Sequence, residues 1–594
     1  MSKKGFTLIE LLAVIVILAI VAIIATPIVL DIISDSKESS RLASAEIYID
    51  TVEKSVASSL MLEGAIKDGI YKITDDGNVC IKQTEENCED FIEVKIQGIK
   101  PEGKDDYVYY ENQKLKYYKL TYNNYSVTNF GTYPKQEMET WINVKEFGAV
   151  GDGITDDTEA IKSAVNYINE NGGVLYFPLG TYIVSLKKNK EDIMSFNGKN
   201  KIVVELLGSS IVLSENSYTY YNIVKTNDCE DFTIRNGTII GDRVNHDYVT
   251  MTGTHEFGYG IFINSTKLAN IQNMNISQLT GDGIVNLNWT ESNNKNRTII
   301  ENSEISYVRR NGLAILATDN IEVNNVKIHH VGTYDGINGA SPQSGIDIEP
   351  ASGSKVVNMA HFNNLLVSDI TNYGVIMGAN HIINDYKISN SNIENPSLRN
   401  ANVNNSKLHI KEDALVTAFS WSAVTLNNSE VKIYKENTTL FIIDSTLNNT
   451  KIEGLAKDKI KNNGNRLFLS QNNNIVTNCT FENFWGAEVD NITSKSYAGI
   501  PYFYEPGKDV YHVLNENSYN NMYKNCKIHI STDAGKTKMF GEINSTIEDS
   551  ILIIDGNKDI EFNKINFYKV DLKKRTSTVK INFNDCVVKD SIGF

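Results

Sequence analysis

Two acids stand one residue apart in the string Gly345-Ile346-Asp347-Ile348-Glu349-Pro350. In a strand, alternate side chains share a face, so Ile346 and Ile348 point one way and Asp347 and Glu349 the other. Paired carboxylates are what glycoside hydrolysis needs, one as acid and one as base or nucleophile. Asp282 precedes Gly283, Arg310 and Asn311 precede Gly312, and Tyr334 and Asp335 fall in the segment before Asp347. If these positions stack, Asp282, Arg310, Asp335, Asp347 and Glu349 are the candidate catalytic set. Uronate elimination would instead use a base such as Arg310 or Tyr334, with the acids binding Ca2+, the only cofactor the residues suggest. The competing reading is plain: outward acids are often only solvated, and Gly-Asp-Gly is often only a turn. His255 and the His329-His330 pair are read as surface or loop residues.

The elements that must hold these residues are strands repeated at regular intervals. Gly260, Gly283, Gly312, Gly345 and Gly374 each precede an apolar strand. The outward positions matching Asp347 and Glu349 are Phe262 and Asn264, Val285 and Leu287, Ala314 and Leu316, then Ile376 and Gly378. A partly apolar outward face is unusual in water and marks a covered or ligand-facing wall. A second pattern, apolar-x-Asn-x-x-apolar, recurs with Asn236, Asn273, Asn302, Asn325, Asn364, Asn390, Asn405, Asn428, Asn449, Asn478 and Asn525 in its third slot. Asp549 and Asp585 take that slot in the last copies. Many steps are about 21 to 29 residues, near one solenoid turn. The step from Asn390 to Asn405 is too short for a turn, so one of those copies is expected to be coincidental. Rungs about 4.8 Å apart would let each asparagine bond to the next. Cys479, Cys526 and Cys586 directly follow the third slot, where other copies carry serine or threonine. They read, with Cys229, as structural residues.

Upstream, Val144 to Ala149 and the run Gly151-Asp152-Gly153-Ile154-Thr155-Asp156-Asp157-Thr158-Glu159 precede a helix expected from an Asp156/Glu159 capping box to about Asn169. Asn171-Gly172-Gly173 stops it, and Val174 to Tyr182 reads as strand, turn, strand. Asp152, Asp156 and Asp157 read as turn and cap residues in preference to a metal site. This ordered run resembles the opening cap of the pectate-lyase-like superfamily of right-handed parallel β-helices. The Gly345 to Pro350 string is similar to polysaccharide-processing β-helix proteins, including phage depolymerase-like chains. The chain departs from the polygalacturonase pattern, with no Gly-His-Gly and no Arg-Ile-Lys, and lacks a clear cluster of calcium-binding aspartates. Pectin is therefore not implied as substrate.

At the other end, Lys-Gly-Phe-Thr-Leu-Ile-Glu is followed by an uncharged stretch from Leu11 to Leu30, a length that matches a bilayer core. Glu10 is a carboxylate in an apolar run, and such a group needs a cationic partner. These residues resemble type IV prepilins. The resemblance implies cleavage between Gly5 and Phe6 by a prepilin peptidase, methylation of Phe6, and pairing of Glu10 with a neighbour's N-terminal amine during assembly. It also implies a kink at Pro27. Ile49, Val52, Val56 and Leu60 continue one apolar helix face. Short alternating runs follow at Tyr107 to Tyr110 and Leu115 to Tyr122, reading as a minimal sheet. Cys80 and Cys88 are near enough to close a small loop, and an exported chain permits the bond.

The expected organisation is a leader at 1–5, a pilin module at 6–130 with a long helix at 6–62, a linker at 131–140, and a β-helix at 141–594. The fold class is mainly β: a right-handed parallel β-helix preceded by a small α+β pilin module with a transmembrane helix. A formal net charge of −16 argues against nucleic acid as a partner. Expected partners are other pilin subunits, the peptidase, the membrane before assembly and an extracellular polysaccharide. The function expected is a sparse or tip pilin whose β-helix binds and cleaves a polysaccharide, as hydrolase or lyase. The alternatives are a non-catalytic adhesin and a pseudopilin of a secretion system.

Overall fold

The computed structural model describes residues 36–59, most of 66–134 and most of 141–593, with the larger interruptions at 455–465, 486–501, 505–510, 514–521 and 532–545. Gly5, Phe6, Glu10 and Pro27 lie outside the described residues. Among the described residues, no helix is long and apolar enough to cross a membrane. Contacts divide the chain into two compact units, Met1–Trp141 and Ile142–Phe594.

In the first unit a helix over 36–59 buries Ala45, Tyr48, Val52 and Val56, a three-and-four spacing that makes one apolar stripe. Ile49 is only partly buried, and the Tyr48 hydroxyl donates to Gly77 O at 2.9 Å. The sheet is larger than the minimal one expected. Five antiparallel strands run in the order Gly69–Lys72, Tyr107–Glu111, Lys114–Tyr122, Tyr125–Thr128, Gly131–Pro134. The last of these corrects the linker expected at 131–140: its first four residues pair with Tyr125–Thr128, because an edge strand tolerates the proline at its end. A disulfide joins Cys80 to Cys88 across the hairpin of Val79–Gln83 and Cys88–Ile92.

The second unit opens with the expected cap. Its helix spans Thr158–Asn171 and buries Ile161, Ala164, Val165 and Ile168. The capping box is corrected by one residue: Asp157 is the N-cap, and Glu159 binds Lys187 instead of reaching back. The Asp157 carboxylate accepts from Val150 N and Gly151 N, and Asp152 accepts from Ile154 N and Thr155 N, so these acids serve turns.

Beyond the cap, parallel strands stack rung on rung in one sheet of 35 described strands reaching Val587–Lys589. A typical rung has two strands that meet at a kink and a third on another face, as in Leu268–Ser277, kinked at Asn273, followed by Ile284–Leu287. The inward side chains form one continuous apolar core. Every asparagine of the repeat, and both terminal aspartates, has φ between 47° and 63°. That left-handed conformation is strained for most residues and tolerated by asparagine and aspartate. The amides also bond between rungs, Asn273 to Asn236 at 2.8 Å and Asn449 to Asn428 at 2.8 Å. Asn390 and Asn405 both belong to the series, which corrects the expectation that one was coincidental. Here the third side is crossed in a few residues, with Ser397 N donating to Val375 O. Lys569 fills the slot in a copy that the asparagine pattern misses. In the following slot, Ser406, Ser429 and Thr450 donate to the carbonyl two residues back, and Cys479 and Cys526 do the same through Sγ. Among the described residues the four cysteines of this unit form no disulfide.

Candidate active site

The expected glycine column has a packing cause. A Cβ on Gly283, Gly312 or Gly345 would lie 2.7, 2.6 or 2.5 Å from the carbonyl oxygen of the next glycine in the stack. The tight backbone at this corner sets the residues just before each glycine beside the outward face that follows it. On that face the register runs Phe262, Val285, Ala314, Asp347, Ile376, as expected from the sequence, and Lys225 precedes Phe262 in the same column. Leu316 sits in a bulge, since Asn286 pairs with Ile315 and Leu287 with Ala317.

Four of the five candidates converge here. Arg310 Nη1 donates to Asp282 Oδ2 at 2.8 Å, and Arg310 Nε to Ser341 O at 3.2 Å. Asn311 bridges the two aspartates: its N–H donates to Asp282 Oδ1 at 2.8 Å and its Nδ2 to Asp347 Oδ2 at 3.3 Å. Glu349 lies exposed beside Asp347, while Asp282 and Asp347 are buried. Burial raises the Asp282 carboxyl to about 7 against the pull of Arg310 and the Asn311 N–H. Burial, then the like charge of Glu349, raises Asp347 to about 6, with Arg310 and Asn311 opposing. Burial works against the Arg310 cation, yet Asp282 outweighs it and holds the proton on more firmly than usual.

Asp335 is not part of this group. Its exposed carboxylate faces the buried Arg243 at 3.6 Å, and Arg243 also donates to Tyr334 O at 2.7 Å. No contact among the described residues joins Asp335 to Asp282 or Asp347. The reason is topological: Asp335 lies in the long turn after Val331, on the side of the loop that carries Arg243. His255 lies in a loop, as expected, while His329 and His330 belong to the strand Asn311–Val331, which corrects the surface or loop reading for that pair. His255 is buried and bonds to His246, which bonds to Asp242; His329 is buried and bonds to Glu304. The partners of His255 come from its own loop, whereas Glu304, the partner of His329, comes from the neighbouring rung.

An aromatic platform adjoins the acids. Tyr259 and Phe262 stack at 5.7 Å with planes 16° apart, Tyr220 lies 6.0 Å from both Tyr259 and Phe257, and Phe257 is 37% exposed. Tyr259, Val285 and Ala314, with Tyr220, Phe262 and Leu316, form a small apolar cluster separate from the solenoid core. Burial and the nearby Asp282 raise the Tyr259 hydroxyl. Phe262 was readable as an outward position, but Tyr220, Phe257 and Tyr259 were not; the aromatic enrichment just before Gly260 was the available signal.

Among the described residues no group of three His, Cys, Asp or Glu side chains comes together to hold a metal. Asp282, Asp347 and Glu349 do not fit a calcium ion, because the Arg310 cation already lies against Asp282 and Asn311 presents donors to both aspartates.

Residues 1–26 match the model of the prokaryotic N-terminal methylation motif, and residues 141–348 match that of rhamnogalacturonase A/epimerase, pectate lyase-like. The chain joins a methylation motif to a pectate-lyase-like domain. A relative, uncharacterized protein YclG of Bacillus subtilis (strain 168), is 32% identical over 266 residues, 40% of this chain and 45% of its own, so the match spans less than half of that relative. Similar solved structures include the mannuronan C-5 epimerase AlgE6 A-module of Azotobacter vinelandii, at 14% identity and TM-score 0.31, covering 76% of this chain and 99% of its own. Another is PfbA, a surface adhesin of Streptococcus pneumoniae, at 11% identity and TM-score 0.35, covering 76% and 93%.

Proposed function

We propose that this chain is a filament subunit of the type IV pilin kind, carried to the cell surface, whose β-helix binds an extracellular polysaccharide and hydrolyses it. The observation that carries this is the convergence of Asp347, Glu349 and the Asp282–Arg310 pair beside the Tyr259–Phe262 platform. Aromatic faces suit the apolar faces of sugar rings. Asp347, raised to about 6, is the proton donor to the glycosidic oxygen, and Glu349 is the base or nucleophile. Asp282 and Asn311 fix Arg310 and Asp347 in place. Hydrolysis is preferred to elimination because Arg310, bonded to Asp282 and holding its proton, is a poor base. A solenoid of roughly ten or more rungs at about 4.8 Å each is over about 50 Å long. Such bulk suits a tip or sparse position, and abundance of this subunit along a fibre would refute that placement.

The test is turnover of a glycan panel by the full chain. A product seen with wild type should vanish in Asp347→Asn and fall steeply in Glu349→Gln. Binding to a glycan that is never cleaved would show an adhesin instead, a reading the aromatic platform alone also supports.

A further inference from the structure

We infer that His246 and His255, anchored on Asp242, share one buried proton between their rings, and that they position the segment 242–256 and the aromatic platform after it only while that contact holds one proton, neither none nor two. The placement follows from counting donors. His255 Nε2 lies 2.8 Å from Met251 O, which can only accept, so Nε2 carries hydrogen. Asp242 Oδ2 accepts from Asn216 N at 3.1 Å and Asn216 Nδ2 at 2.8 Å, and Oδ1 accepts from the Tyr221 hydroxyl at 2.8 Å. So many donors mark an ionised carboxylate, and His246 Nδ1, 2.6 Å from Oδ2, carries hydrogen. His246 Nε2 and His255 Nδ1 are 2.8 Å apart, and a hydrogen bond there needs one hydrogen. Three N–H groups on two rings make one positive charge, which balances Asp242 where all three side chains are buried. Without the shared hydrogen two lone pairs would face each other; with a second, two N–H groups would.

The groups around the rings leave the pair as the one that titrates. Burial lowers His255 from the ordinary histidine range, with the Met251 carbonyl opposing. Bonds from Thr250 and Val249 hold Asp247 down to about 2. Burial pushes the Tyr221 hydroxyl up, and that of Tyr248 to about 12. Arg309, over the Tyr248 ring at 5.0 Å, is a permanent cation that donates to His255 O at 2.7 Å and Thr254 O at 2.8 Å, and Glu256 acts on it. Asp282 acts on Tyr259. The closed segment thus holds one proton on the pair. Opened to water, two ordinary histidines hold two protons well below about pH 6.5 and none well above it. Opening is therefore favoured by acid below about pH 6.5 and by base above it, by up to about tenfold per pH unit on each side. Phe257 and Tyr259 follow the segment directly, and Tyr221, bonded to Asp242 and Thr280, adjoins Tyr220 of the platform. Order in the platform follows the same optimum. That its hold on sugar does so too rests on the glycan reading above.

The experiment uses the detergent-solubilised full chain with no glycan present. Amide hydrogen exchange with mass spectrometry across 243–259, corrected for intrinsic exchange, should show protection that peaks near about pH 6.5 and falls toward about pH 5 and about pH 8. His255→Gln keeps the pattern of the neutral ring, an oxygen toward His246 and an N–H toward Met251 O, with no second proton to gain. It should lose the acid limb and keep the alkaline one, so the ratio of wild-type to variant opening should rise about tenfold from about pH 7.5 to about pH 5. Asp282 is common to both chains and cancels in that ratio. A second reading needs no variant: solid-state 15N spectra of the histidine-labelled chain at about pH 6.5 should show both His246 nitrogens protonated and one of His255. The pair is picked out by its Nε2–Nδ1 contact, since the His329–His330 contact joins two Nδ1 atoms. A flat profile, an acid limb unchanged in His255→Gln, or two neutral rings at about pH 6.5 overturns the inference. Each of these leaves the glycan reading standing, because none of the measurements involves a sugar.

Discussion

Replacing Asp347 by asparagine removes one proton-binding site from a buried wall and leaves its volume nearly unchanged. In the folded chain burial, then the charge of Glu349, raises the Asp347 carboxyl from the ordinary aspartate range near 3.8 to about 6. At about 1.4 kcal/mol per pKa unit, ionising it in place costs about 3 kcal/mol. The sign follows from proton counting. Between about pH 4 and 6 the folded state holds this proton more tightly than the unfolded state. Its contribution to stability is therefore fully present at low pH and is lost as pH rises through about 6. Asparagine cannot ionise, so the variant lacks this loss. Local opening of the strand Ser344–Ile348 can be followed by amide hydrogen exchange with mass spectrometry, comparing wild type and Asp347→Asn at each pH so that intrinsic exchange cancels. The two should open with similar free energies at about pH 3, below the unfolded carboxyl's range. By pH 8 the variant should be the more protected by about 3 kcal/mol, well over a tenfold difference in exchange. Parallel pH profiles would refute the claim that burial and Glu349 raise this carboxyl, and with it the assignment of Asp347 as proton donor.

Three further outcomes follow from other parts of the fold. Gly312→Ala would place a Cβ 2.4 Å from Ile328 Cγ2 and 2.6 Å from Gly345 O, and should destabilise the rungs by about 1–3 kcal/mol, read as a lowered urea midpoint for local proteolysis. Asn428→Ala loses the ladder bond with Asn449 and strains a φ of 49°, about 1–2 kcal/mol, whereas Asn428→Gly should recover the conformational part only. Reducing the Cys80–Cys88 bond should raise exchange in the hairpin of the first unit by an amount corresponding to about 2–3 kcal/mol and leave the β-helix unchanged.

Much of the solenoid was legible because its physics is local and repeated. An asparagine recurs where the backbone must turn left-handed, a glycine where rungs come too close for a Cβ, and a small hydroxyl or thiol where a side chain donates to the carbonyl two residues back. Asn390 and Asn405 misled because spacing along the chain measures the length of a rung and not its existence. Lys569 was invisible because the conformation, not the residue type, defines the slot. In the site, Asp347, Glu349, Asp282 and Arg310 were readable as outward or pre-glycine positions of successive rungs. Asp335 was readable as near them in sequence, but the turn that carries it folds toward Arg243.

The sequence by itself determined the methylation motif at the N-terminus, the pectate-lyase-like domain, the stacking of strands, and the column on which Asp347 stands, since each is written in a short motif or a constant register. Tertiary structure alone decided the rest. It set which carboxyls lose water, which of them Arg310 reaches, how Asn311 ties two aspartates together, and that Tyr220, Phe257, Tyr259 and Phe262 form one platform. Those are relations between rungs about 20 to 40 residues apart, and a charge's environment depends on distance in space, which no spacing along the chain encodes.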